Sequence, residues 1–181
     1  MRFLKANPMK LSFSILLVIS IFIVATKTKA TTKNYQPFTI VDNCDSIPEL
    51  NKKIIAFVKT KIKKKVGNGQ CWTLAQQALN SIDAKWDGLY IYGNLLNPKT
   101  DCIYPGDIIQ FEKIKIEYSS GNGWYQEEMG HHTAFIYKVN AKGNYDLAHQ
   151  NFGSGRKRVG ITHLELKNIT QGEFFIYRPT R

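Results

Sequence analysis

"VGNGQCWTLAQQALN", Val66 to Asn80, sets two glycines around an asparagine just before a cysteine. Glycine frees the backbone for a sharp turn, and the residues that follow repeat with helical spacing. Cys71, Leu74, Ala75, Ala78, Leu79 and Ile82 fall at steps of three and four. The spacing predicts a helix from Cys71 to Asp83 with the thiol in its first turn. Backbone N–H groups there lack intrahelical acceptors and the helix dipole is positive, so the position favours a thiolate. A cysteine at apolar helical spacing is also an ordinary packed side chain, and that reading stands beside the chemical one.

Working outward, "SIPELNKKIIAFVKTKIKKKVGNG" begins at Ser46 with Ser46 and Glu49 at capping-box spacing, and Leu50, Ile54, Phe57, Val58 and Ile62 share one face. An amphipathic helix is expected, its lysines near the C-terminus where the dipole welcomes cations, ended by Gly67 and Gly69. Beyond "WDGLYIYGNLLNPKT" the pattern turns to β. "DIIQFE", "KIKIEY", "HTAFIYKV", "YDLAHQN" and "EFFIYRP" are short, rich in β-branched and aromatic residues, and separated by turn formers. Helices followed by strands define an α+β fold, with N-terminal helices packed on a small antiparallel sheet. "KVNAKGNYDL" reads as a hairpin that sets the strand of His132 beside that of His149. "SSGNGWYQEEMG" reads as a loop able to wall a cleft.

The 181 residues carry 25 Lys and Arg against 14 Asp and Glu, a net charge of +11. Residues 1–30 have the layout of a secretory signal: Arg2, Lys5 and Lys10, an apolar run from Leu11 to Ala25, and a short polar stretch to Ala30. The run is shorter than the ~20 apolar residues a membrane span prefers, so cleavage is expected, with an uncleaved anchor as the alternative. A secreted, periplasmic or extracellular location follows. Residues 31–45 form an N-terminal extension, and 46–181 form one domain. Without the first thirty residues the charge is +6, concentrated in "KTKIKKK" and "GRKR". Such a field suits an anionic surface, although charge runs are commonly solvated faces. No zinc spacing, phosphate loop or nucleic-acid module is present, so no nucleic-acid partner, metal or cofactor is expected, and a monomer is. The cysteines number three, so one is left over if a disulfide forms. Cys44 and Cys102 lie in turn-like segments and make the sensible pair, three free thiols being the alternative.

A thiol nucleophile needs a base, and the base needs an orienting group. Cys71, His132 at the start of its strand, and His149 with Asn151 two residues on offer all three. The backbone of Cys71 with Gln70 would supply the oxyanion donors. Histidines on strands are also common as satisfied structural residues. A metal site from His131, His132, His149 and Cys71 matches no ligand spacing. Asp107, in "YPGDIIQF", reads as a turn residue ordering the strand start. Trp124 and His131 stand near the base in sequence and are candidate substrate contacts.

"GNGQCWTLA", "PGDIIQFE", "GHHTAFIYKV" and "YDLAHQNFG", in that order, resemble the papain-like superfamily of CHAP and NlpC/P60 hydrolases. The resemblance implies a papain-like fold and thiol-dependent hydrolysis of an amide bond in a peptide or peptidoglycan-like substrate. Cys71 would be the nucleophile, His132 the base and His149 the orienter beside Asn151. His149 replaces the acidic orienter usual in CHAP domains, and the doublet His131–His132 makes the base ambiguous, the following Thr-Ala favouring His132. The same motifs resemble a cysteine-proteinase-fold domain of some fungal actin-patch proteins, for which hydrolysis does not follow. An inactive binding module of the same fold, and an acyltransferase using the same cysteine, remain the alternatives.

Overall fold

The computed structural model describes residues 44–153 and 156–181; the expected signal segment and nearly all of the N-terminal extension lie outside them. Helix α1 spans Glu49–Lys61 and follows Pro48, whose fixed φ starts the helix without a side-chain cap. The expected Ser46–Glu49 capping box therefore does not form. Ile54 and Val58 turn inward as the apolar spacing requires. The chain leaves α1 before the glycines: Lys63 takes a left-handed φ of 63°, and its N–H donates to the carbonyl of Val159 at 2.8 Å. Helix α2 spans Cys71–Asn80, shorter than expected because the chain tightens into a turn after Asn80.

The strands are β1 (Asn94–Leu96), β2 (Ile108–Ser120), β3 (Gly123–Ala141), β4 (Asn144–His149), β5 (Gly160–Glu165) and β6 (Ile169–Arg178), with a single 3-10 turn, Leu166–Asn168, before β6. They form one antiparallel sheet in the order β1-β6-β2-β3-β4-β5. "DIIQFE" and "KIKIEY" join into the single strand β2, interrupted by an irregularity near Lys113, which takes φ 52°. "SSGNGWYQEEMG" is not a loop. It is the far end of a long β2–β3 hairpin, with Ser119 opposite Trp124 and Tyr118 stacked on Tyr125. Polar residues on both faces concealed this ladder, since only main-chain pairing and a few cross-strand contacts hold it.

Alternation along β2 and β3 divides the core in two. Ile108 of β2 and Phe135 of β3 pack with Leu74 and Ala78 of α2, whereas Ile109, Phe111, Ala134 and Ile136 pack with Leu147 and Leu164 on the opposite face. The sheet therefore has a helix side and a far side. Among the described residues no helix is long and apolar enough to cross a membrane.

Asp107 joins the layers. Fully buried, it accepts from the Asn51 amide of α1 at 2.7 Å, the Tyr104 N–H at 2.8 Å, and the Arg178 guanidinium of β6 at 3.1 and 2.8 Å. Burial raises its carboxyl, and these donors act in the opposite direction. Gly106 lets the turn reach α1, since a Cβ there would lie 2.5 Å from the Asn51 carbonyl. Cys44 and Cys102 are disulfide-bonded, leaving Cys71 the free thiol among the described residues.

Removing one partner of a buried ion pair strands the other charge, so Arg178→Met should lower stability by about 3–5 kcal/mol. Urea denaturation with an unchanged slope would report it, and a midpoint equal to wild type would show that water enters to solvate Asp107.

Candidate active site

Cys71 opens α2 on the stripe that faces the sheet and is 8% exposed. The loop before it is held by Gln150, whose side chain accepts from Val66 N–H at 3.0 Å and donates to the carbonyls of Val66 and Gln70 at 2.9 and 2.7 Å. Asn68 side-chain oxygen accepts from Gln70 N–H at 3.0 Å and from the Thr73 hydroxyl at 2.6 Å. This fastening fixes the first turn of α2, where the Cys71 N–H has no intrahelical acceptor.

On the helix side of the sheet, Tyr92 from the segment before β1 joins Thr133 of β3 and Gln110 of β2 in a buried network. The Tyr92 hydroxyl lies 2.9 Å from Thr133 Oγ1 and donates to Gln110 Oε1 at 3.3 Å, while Thr133 donates to the same oxygen at 2.6 Å. Burial raises the Tyr92 phenol, the Thr133 bond lowers it, and charge on nearby Cys71 raises it further. Trp86 stacks on Tyr92 at 6.1 Å, and Trp72 donates its indole N–H to the Leu89 carbonyl at 2.7 Å.

One step along the same faces of β2 and β3, about 7 Å further, stand Glu112 and His131, which are opposite one another. The Glu112 carboxylate meets His131 Nδ1 at 2.8 Å, and the Tyr90 ring packs edge-on against the imidazole at 4.1 Å. The Gln110 amide nitrogen is 3.3 Å from each ring nitrogen of His131 and so is committed to neither.

His132 and His149 do meet, with Nε2 of the first 2.7 Å from Nδ1 of the second. They do so on the far side. His132 alternates with Thr133 and Phe135, so it shares the face of Ala134 and Ile136, and His149 shares that of Leu147. The expected pairing of Cys71 with His132 is therefore corrected: α2 and the two imidazoles lie on opposite faces of the sheet. Among the described residues no hydrogen bond joins the Cys71 thiol to either histidine.

Their surroundings fit a structural pair. His132 is 4% and His149 3% exposed, His149 Nε2 lies 2.9 Å from Thr162 Oγ1, and Phe152 stacks on His149 with ring centres 3.9 Å apart. Burial lowers His132 to about 4 and His149 to about 3, so both are neutral at pH 7 and share one N–H between them.

The other expected residues are placed as follows. Asn151 does not reach His132; β4 ends at His149, Asn151 takes a left-handed φ of 61°, and its amide donates to Gln70 Oε1 at 2.6 Å. Gln70 and Cys71 remain adjacent at the helix start. Trp124 is corrected: 62% exposed at the hairpin tip, it stands seven residues, roughly 23 Å, from His131. Glu112, Tyr92, Gln150 and Thr162 went unrecognised in the sequence. Only Glu112 had a signal there, its even spacing from Gln110 at the end of "DIIQFE". Among the described residues no cluster of side chains has the makings of a metal site.

This arrangement defines a cysteine-proteinase fold with the thiol at the start of the helix that packs on the sheet. The profile of the AIM3/BBC1 cysteine proteinase-fold domain matches residues 48–181, and the chain belongs to that family. A solved structure, "The crystal structure of Ly7917 with the hydrolyzing product of MDP", is similar at 14% identity and a TM-score of 0.44, over 71% of this chain and 62% of that one. The chain thus spans less than two thirds of that structure's length. No curated protein matches the chain.

The buried histidine pair sets a pH dependence of folding. Unfolded imidazoles titrate near ~6.5 while the folded ones stay neutral to about 4 and about 3. The unfolded chain therefore takes up protons first, and the stability present above pH ~6.5 is lost as pH falls, by up to about 1.4 kcal/mol per histidine per pH unit. Urea midpoints should drop from pH 7 to 5 and drop less steeply in His149→Gln. A midpoint flat over that range would show that the pair is solvated.

Proposed function

We propose that this domain is a thiol-dependent hydrolase of peptide-type amide bonds in which Cys71 is the nucleophile and His131, oriented by Glu112, is the base. The observation that carries the reading is the shared face: Cys71, Thr133 and the His131–Glu112 pair all lie on the helix side. The sequence likeness to CHAP and NlpC/P60 enzymes supports the same class and gives the order of nucleophile before base.

In the proposed reaction Glu112 holds the proton on His131 Nδ1, which leaves Nε2 to accept the thiol proton. Sulfur attacks the carbonyl carbon, and the oxyanion is met by the Cys71 N–H and the Gln70 side chain. The C–N bond breaks as the imidazolium returns its proton to the leaving amine. Water, deprotonated by the same nitrogen, then hydrolyses the thioester. An amine acceptor in place of water would make the same site an acyltransferase. Secretion of the domain, with the leader removed near Ala30, is part of this reading and is supported by the apolar run and by the Cys44–Cys102 disulfide.

A second reading has a specific observation in its favour. The thiol is buried and unbonded to any histidine among the described residues, as in a domain that binds peptides without cutting them.

Iodoacetamide labelling of Cys71 from pH 4 to 9 separates the two. Labelling that is fast below neutral pH in wild type and slow in His131→Ala, with His132→Ala unchanged in rate but less stable, supports the hydrolase. On a panel of N-acylated peptides and peptidoglycan fragments, His131→Ala should then reduce kcat by about 10²-fold or more and Cys71→Ser should abolish turnover. A thiol equally inert in all three proteins favours the binding module, and slowing by His132→Ala alone would overturn the choice of base.

A further inference from the structure

A cavity of about 480 Å³ is lined by Lys63, Lys65, Arg156, Lys157, Arg158 and an apolar floor that includes Phe152. Among the described residues its lining holds five cations and no acidic residue. Basic runs that merely face water splay apart, but this one is built. The Lys63 N–H donates to the Val159 carbonyl at 2.8 Å, the Val159 N–H donates to the Lys64 carbonyl at 2.9 Å, and Arg158 Nη1 donates to the Lys63 carbonyl at 3.2 Å. The segment after α1 and the one before β5 are thus tied together, so charges distant in sequence share one wall. Arg156 rests over the Phe152 ring at 5.5 Å, and a Cβ at Gly69 would lie 2.9 Å from Lys157 Cβ and 3.2 Å from Lys65 Cε. Those two lysines therefore converge on the loop that leads to Cys71.

Holding five like charges around one concavity costs electrostatic free energy that a bound anion would offset. A single carboxylate neutralises one of them. A compact ligand with several phosphate groups matches the charge, the size and the arginine forks. We propose that this cavity is a binding site for multivalent phosphate, supplied either as a free oligophosphate or as a polyphosphorylated lipid headgroup. The site lies beside the candidate active site and does not depend on its chemistry.

The test uses full-length protein carrying Cys71→Ser, so that turnover plays no part, with inorganic tripolyphosphate as the probe in calorimetry at low salt. Binding should weaken at least tenfold in Arg156→Gln/Lys157→Gln, and remain within twofold in Lys53→Gln/Lys59→Gln, which removes the same charge from the exposed face of α1. Vesicles of phosphatidylcholine with 5% phosphatidylinositol bisphosphate form the second arm. Capture lost in the same double variant supports the site with lipid as its source, and tripolyphosphate binding without capture supports it with a soluble source. Absence of binding in both arms, or equal weakening in the two double variants, overturns the proposal, because the attraction would then belong to net charge alone.

Discussion

The carboxylate of Asp107 is the point on which the arrangement depends. It has no exposure to water, yet four donors from three parts of the chain converge on it. The Asn51 amide brings in α1, the Tyr104 N–H shapes the turn before β2, and Arg178 fastens the end of β6. A buried charge is tolerable only when its lone pairs are filled, so each donor is constrained to its place. With α1 and β6 positioned, α2 has one face of the sheet against which to bury Leu74, Ala75 and Ala78, the face that also carries Thr133.

From there the two-residue period of a strand decides which histidine shares a face with the thiol. His131 and His132 are neighbours in sequence and lie on opposite sides of the sheet, so only one can share a face with α2. The faces offer contrasting surroundings. On the helix side His131 is partly open and paired with the Glu112 carboxylate. On the far side His132 is sealed against His149, and burial holds both neutral. A shift of one residue in the β2–β3 register would exchange those roles.

Fastening extends to the loop that carries the thiol. Gln150 is fully buried and bonds both ends of the loop from Val66 to Gln70, while Asn151 secures the Gln70 side chain. The dipeptide that follows β4 thus serves the thiol's loop rather than a histidine. Phe152 continues the pattern by stacking on His149 on one side of the basic cavity, so the segment after β4 touches the loop, the histidine pair and the cavity wall in succession.

By itself the sequence determined what local rules govern. The glycine turn into Cys71, the helical spacing of Leu74, Ala75 and Ala78, the β character of the second half and the spare cysteine were all legible, because periodicity and turn chemistry act over a few residues. Asp107 was legible as a turn residue for the same reason, though not its partners in α1 and β6. Tertiary structure alone decided which histidine shares a face with the thiol, that Asn151 turns away into a left-handed conformation, and that Trp124 rides a hairpin tip far from the site. Each depends on strand register or on contacts across tens of residues, which main-chain pairing and burial settle and local spacing does not encode.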